Sequence, residues 1–186
     1  MSSLLKVIGL DPSLRNWGVV VATLDQASNV LTVQTVSVIQ PDLSGLNIKK
    51  QNLLDLASST WLYSNVLSLI TDADIICAEI PHGSQSARAS MASGICLGVL
   101  GSLANQVDKP FVMVSPNEVK LAGYGSRLAT KKQMIEWAVA KHPEAKWPMY
   151  KSKGQLVINE GKTEHMCDAL AAIYAGMNHP AFITQL

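Results

Sequence analysis

LLKVIGLDPS (residues 4–13), WGVVVATL (17–24) and VLTVQTVSVI (30–39) decide how this chain folds. The first is a short apolar run that stops at Asp11-Pro12-Ser13, the second is β-branched and apolar, and the third alternates before Pro41. Each reads as a strand. The polar links between them are too short for crossovers, so the strands form an antiparallel meander. Downstream, residues 49–70 repeat apolar side chains at helical spacing (Leu53, Leu56, Ala57, Trp61, Val66), and Asp74–Ile80 reads as a fourth strand. Ala87–Val107 reads as a helix, Phe111–Val114 as a fifth strand, Thr130–Lys141 as a helix capped by Thr130, and Thr163–Ala175 as a last helix before Gly176. A meander followed by right-handed crossovers predicts an α/β fold, a mixed five-stranded sheet with helices on both faces.

The 186 residues are 48% hydrophobic and 16% charged, without repeats or low-complexity tracts, which excludes a disordered or fibrous chain and fits a single domain over 1–186. The longest apolar stretches, such as Gly94–Leu103, are short and broken by glycine. With no cleavage-type leader ahead of the first strand, the expectation is a soluble, cytoplasmic protein of a bacterial or phage-infected cell. Cys77, Cys96 and Cys167 lie scattered in apolar runs, as buried thiols do, and form neither a disulfide framework nor a zinc motif. The net charge of +1 is unevenly spread: residues 120–153 hold eight basic residues against two acidic ones, and the remainder holds seven against twelve. Such asymmetry suggests one face that attracts a polyanion and carboxylates gathered elsewhere; a solvated helix is the plainer alternative.

Three acids stand in unusual places. Asp11 closes the first strand, at the kind of edge where open α/β sheets meet ligands. Glu79 interrupts the apolar run Ile75-Ile76-Cys77-Ala78, where an unpaired carboxylate costs several kcal/mol and calls for a cation. Asp168 sits between Cys167 and Ala169 on an otherwise apolar helix, with His165 and Glu164 one turn back on the same face. If the first and fourth strands are neighbours, Asp11 and Glu79 converge. Asp and Glu oxygens collected from two strands and a helix suit hard cations such as Mg²⁺ or Mn²⁺, whereas each acid alone fits a cap or a surface ion pair.

Taken in order, Gly9-Leu10-Asp11-Pro12-Ser13 with Trp17-Gly18, Ala78-Glu79, Pro116-x-x-Val119-Lys120 with Gly123-x-Gly125 and Thr130-Lys131, and His165-x-x-Asp168-Ala169-Leu170-Ala171 resemble the RuvC-type Holliday junction resolvases of the RNase H-like superfamily. The resemblance runs from about residue 4 to 176. It implies a homodimeric, metal-dependent endonuclease that nicks two strands of a four-way DNA junction. Asp11, Glu79 and Asp168 match the family's metal ligands and His165 its fourth position, with Glu164 one residue out of register. Two ions would activate water and neutralise the phosphate, with Asp11 the choice for a shared ligand, and a histidine ligand would make Mn²⁺ at least as good as Mg²⁺. Lys120, Lys131 and Lys132 match lysines that the family places near DNA.

The loop from Pro81 to Ala87 feeds a helix whose first N–H groups suit a phosphate, with Arg88 adding charge beside the scissile strand. Residues 143–162 are longer than the family segment; their lysines, with Trp147 and Tyr150, suit a DNA arm, and Trp147 suits equally a cover over the core. Gly94, Gly98 and Gly101 leave a bare helix stripe for another helix, within the chain or across a dimer axis. Three other functions compete: a nuclease for other branched or flap DNA, a nucleotide-binding module of the actin and sugar-kinase type, whose phosphate loop Gly-Leu-Asp-Pro-Ser also resembles, and a junction-binding protein without activity. Cut-site preference, the physiological metal and any helicase partner are not written in the sequence.

Overall fold

A computed structural model describes residues 4–185. Strands β1 (Leu4–Asp11), β2 (Trp17–Asp25) and β3 (Val30–Ile39) form the expected meander, followed by helix α1 (Gln51–Ile70), strand β4 (Ile75–Glu79), helix α2 (Ala87–Gln106) and strand β5 (Phe111–Val114). The five strands make one mixed sheet in the order β3-β2-β1-β4-β5, with β4 and β5 parallel to β1.

Three pieces go beyond the sequence reading. Helix α3 (Pro116–Gly123) follows β5 directly; Ser115 and Glu118 close a capping box around Pro116, a start signal written in Ser-Pro-x-Glu. Helix α4 (Lys131–Lys141) begins after Thr130, which caps it as expected. A two-stranded ribbon of β6 (Met149–Ser152) and β7 (Gln155–Ile158) then turns at Lys153 and Gly154, whose φ values of 48° and 82° are those of a two-residue hairpin turn. Helix α5 (Glu160–Gly176) starts three residues before the expected Thr163, because the Asn159 side chain accepts the Lys162 N–H and caps it there. A short helix α6 (Pro180–Ile183) ends the described chain.

Alternation along the strands divides the core in two. Val7, Ile75 and Cys77 face the layer of α5, with the residues of α3 and α4; Ile8, Leu10, Ile76 and Ala78 face α1 and α2. By its length and composition α2 is apolar enough to cross a bilayer, contrary to the reading of its glycines as breaks; in this fold its Cys96, Val99, Leu100 and Leu103 are buried against the sheet. Gly94, Gly98 and Gly101 face open space.

Helix α5 lies unusually close to the sheet. A Cβ on Gly9 would collide with the Ala169 carbonyl, one on Gly18 with the His165 carbonyl, and one on Gly176 with the Cys77 sulfur. His165, Ala169, Ile173 and Gly176 thus form one stripe at helical spacing that rests on β1, β2 and β4. Since Gly9 meets Ala169 and Gly18 meets His165, the N-terminal half of α5 arrives at the ends of β1 and β4. We expect Gly9→Ala to cost about 1–3 kcal/mol in urea unfolding, because backbone rather than a flexible side chain must yield, and Gly94→Ala, in open space within a helix, to gain up to about 1 kcal/mol. Equal and small effects at both positions would contradict this packing.

Candidate active site

Strand register brings the acids together. β1 and β4 are paired in parallel up to Leu10 opposite Ala78, so the next step sets Asp11 beside Glu79, on neighbouring strands about 4.8 Å apart. Gly9 and Cys77 face α5, and two residues on, Asp11 and Glu79 face the same way. From above, α5 contributes Glu164, His165 and Asp168. All five line one cleft of about 350 Å³, together with Pro12, Ser13, His82 and the α2 residues Ser93 and Cys96. The three acids, far apart in the sequence, therefore line one space.

The cluster is electrostatically tense. His165 Nδ1 lies 2.6 Å from Asp11 Oδ2, a bond that raises the imidazole above its usual range and fixes the ring. Burial raises Asp11 against the opposing pull of His165. Glu79 is pushed up to about 9, first by burial and then by the charges of Asp11 and Asp168. Asp168 is pushed up to about 7 by burial, Asp11 and Glu164. Desolvated carboxylates that repel one another are stabilised either by protons or by a cation. Among the described residues no three His, Cys, Asp or Glu side chains are drawn tightly enough to hold a metal ion as they stand.

The basic residues separate into different duties. Lys131 Nζ reaches Glu164 Oε1 at 2.5 Å, and Lys120 acts on both Glu79 and Asp168; both lysines line a second lobe of about 450 Å³ that continues the cleft past Glu79 and Asp168. Lys132 instead points along the surface of α4, with Glu136 at 3.8 Å. Arg88, expected beside the scissile strand, forks its guanidinium onto the buried Asp55 of α1, one arm at 2.5 Å, which ties α2 to α1. One N–H at the start of α2 is also taken, since Ser86 accepts the Ala89 N–H, and the Ser90 hydroxyl accepts the Ser84 N–H of the preceding loop. Trp147 covers the core, 8% exposed, with Nε1 donating to the His142 carbonyl at 3.0 Å. His82 lines both lobes and was passed over in the sequence; the signal was its place three residues past Glu79, on the loop leaving the strand end.

No protein-family model and no curated protein matches the chain. Solved structures do. The chain is similar to Thermus thermophilus RuvC in complex with a Holliday junction substrate, at 16% identity and a TM-score of 0.65, over 97% of this chain and 96% of that one. It is similar to the yeast mitochondrial Holliday junction resolvase Ydc2 at 19% identity and a TM-score of 0.61, over 96% and 79% of the two chains. The fowlpox virus Holliday junction resolvase matches at 11% identity and a TM-score of 0.55, over 94% and 97%. At such identities the likeness is one of architecture: this chain has the RNase H-like fold of the RuvC-type resolvases, with the resemblance read from its motifs extending through the whole sheet.

Proposed function

We propose that this chain is a structure-selective DNA endonuclease that resolves four-way junctions by paired, divalent-metal-dependent hydrolysis of phosphodiesters. The observation that carries the reading is the gathering of Asp11, Glu79, His165 and Asp168 in one cleft at the strand ends, with Lys120 and Lys131 on its continuation. The junction as substrate rests on the solved proteins of the same fold, which are named as Holliday junction resolvases.

The donor set fits divalent ions. Three desolvated acids and an imidazole offer hard oxygen ligands and one nitrogen, and the upward displacement of Glu79 and Asp168 reports a negative cluster that a cation would relieve. Asp11, Glu79 and Asp168 would hold the ions, with His165 as the fourth donor and Glu164, held by Lys131, as the outer acid. Mg²⁺ or Mn²⁺, two per site, would supply activation of the attacking water and neutralisation of charge at phosphorus. The chain's own residues do the remainder. Asp11 holds His165 through Nδ1, which leaves Nε2 the atom with which this ring can orient water or a ligand. Lys131 and Lys120 bring positive charge to the side of the cleft where a phosphate backbone would lie. Paired cuts need two such sites, and a dimer with a twofold axis supplies them. Met91 and Leu97, exposed beside the bare glycine stripe of α2, offer an apolar surface for that pairing.

Asp11→Asn is expected to bind a labelled synthetic four-way junction as the parent does and to cut it at least on the order of 100-fold more slowly with Mg²⁺ or Mn²⁺. Normal cutting by that variant would end the mechanism, and equal cutting of flaps, three-way junctions and linear duplex by the parent would replace the four-way junction as its substrate. The raised acids give a second test. Folded Glu79 keeps its proton up to about 9 against an ordinary 4.5, and Asp168 up to about 7 against 3.8, so the folded state binds more protons than the unfolded chain between about pH 4 and 9. Stability of the metal-free protein therefore falls as pH rises through that window. We expect Tm to fall from pH 5 to pH 9, Mn²⁺ to recover the loss at the alkaline end, and Glu79→Gln to flatten the profile. An unchanged pH slope in Glu79→Gln would show that the cluster does not carry this charge.

A further inference from the structure

The β6–β7 ribbon is held at its root and bare beyond it. At the root, Trp147 is buried, the Asn159 N–H donates to the Pro148 carbonyl at 2.9 Å, and Ile158 packs on the core beside Trp137 and Ala145. His142 adds a fixed support: its ring nitrogens sit 2.7 Å from Glu144 Oε1 and 2.7 Å from the Tyr174 hydroxyl of α5. Outward of this anchor, Met149, Tyr150, Leu156 and Val157 are 54%, 52%, 66% and 40% exposed. Cross-strand register puts Tyr150 with Val157 on one face and Lys151 with Leu156 on the other, so both faces of the ribbon are open. A two-stranded hairpin is at best marginally stable alone in water, and four large exposed apolar side chains on one anchored at its base mark a surface made for a partner.

Charge identifies the partner. Residues 145–159 contain Lys146, Lys151 and Lys153 and no acid, and among the described residues none of the three is ion-paired. A basic, two-stranded ribbon fits the major groove of B-form DNA, which is about 12 Å wide and admits such a ribbon. The distance also fits. From Asp168 to the start of α5 is about 12 Å of helix, and the ribbon adds about 14 Å, so its tip lies less than one 34 Å turn of duplex from the acids.

We infer that the β6–β7 ribbon is a DNA-arm clamp that docks in the major groove of the duplex next to the cut, with Lys146, Lys151 and Lys153 on phosphates and the face of Tyr150 and Val157 against base edges. This rests on the nuclease reading above and adds to it an element that grips without taking part in the chemistry. Major-groove contact through Tyr150 and Val157 also gives the protein a way to favour some sequences around the cut, because thymine methyl groups present apolar contacts there.

The test measures binding to a fluorescent four-way junction across a range of salt, in the full-length Asp11→Asn protein and in the same protein carrying Lys151→Gln with Lys153→Asn. Asparagine tolerates the positive φ at position 153. Loss of two phosphate contacts is expected to lower the slope of log K against log salt by about 2 and to weaken binding several-fold at 100 mM salt. Separately, Tyr150→Ser with Val157→Ser is expected to weaken binding with the slope unchanged. A slope unchanged by the lysine pair, in a protein that binds the junction and keeps its circular dichroism, overturns the clamp while leaving the nuclease reading intact. If the Asp11→Asn protein binds neither junction nor duplex at any salt, both readings fail together. A drop in sedimenting mass in Tyr150→Ser with Val157→Ser, together with a salt slope unmoved by the lysine pair, assigns the ribbon to contact between two copies and likewise overturns the clamp.

Discussion

The rest of this structure depends on the approach of α5 to the sheet at backbone distance. Glycine at positions 9, 18 and 176 removes the side chains that would hold the helix off, and Ala169 and Ala172 keep its own surface thin. The consequence is positional rather than merely stabilising. A helix lying a layer higher would carry Asp168 and His165 away from the ends of β1 and β4, and Asp11 and Glu79 would face a hydrophobic wall without partners. Close packing of small residues therefore determines the electrostatics of the cleft.

Those electrostatics are costly to the fold on their own. Three carboxylates with restricted access to water repel one another, and His165 compensates only Asp11 directly. Lys120 and Lys131 moderate the field from one side, while Arg88, which has the right charge, is turned inward to neutralise Asp55. The chain thus crowds carboxylates that hold protons in place of a cation into a cleft whose other side carries Lys120 and Lys131, the distribution expected where divalent ions and a phosphate backbone meet.

Much of this was legible in the sequence. The meander could be read because its three strands carry β-branched, alternating or wholly apolar runs separated by turns too short for anything but hairpins. Asp11, Glu79 and Asp168 stood out because each interrupts an apolar setting, and strand order then placed two of them side by side. Glycines 9 and 18 could be quoted as parts of a motif, but their reason is tertiary, since nothing local to β1 or β2 says that a helix backbone will rest on them. The same holds for Arg88: its position after a polar loop suggested a ligand, and only the fold reveals Asp55 of α1 across from it. Helix α3 was missed although Ser115-Pro116-x-Glu118 is a start signal, because the segment is short and weakly apolar. The ribbon was missed because Lys153-Gly154 is a less distinctive turn than Asn-Gly, and its strands are only four residues each.

The central claim is that acids from β1, β4 and α5 form one cation site. Anomalous diffraction from crystals soaked in Mn²⁺ tests it most directly. The account predicts a manganese peak within bonding distance of oxygens from Asp11, Glu79 and Asp168. An ordered crystal with no peak in that cleft, or with manganese bound only at surface carboxylates elsewhere, would contradict it.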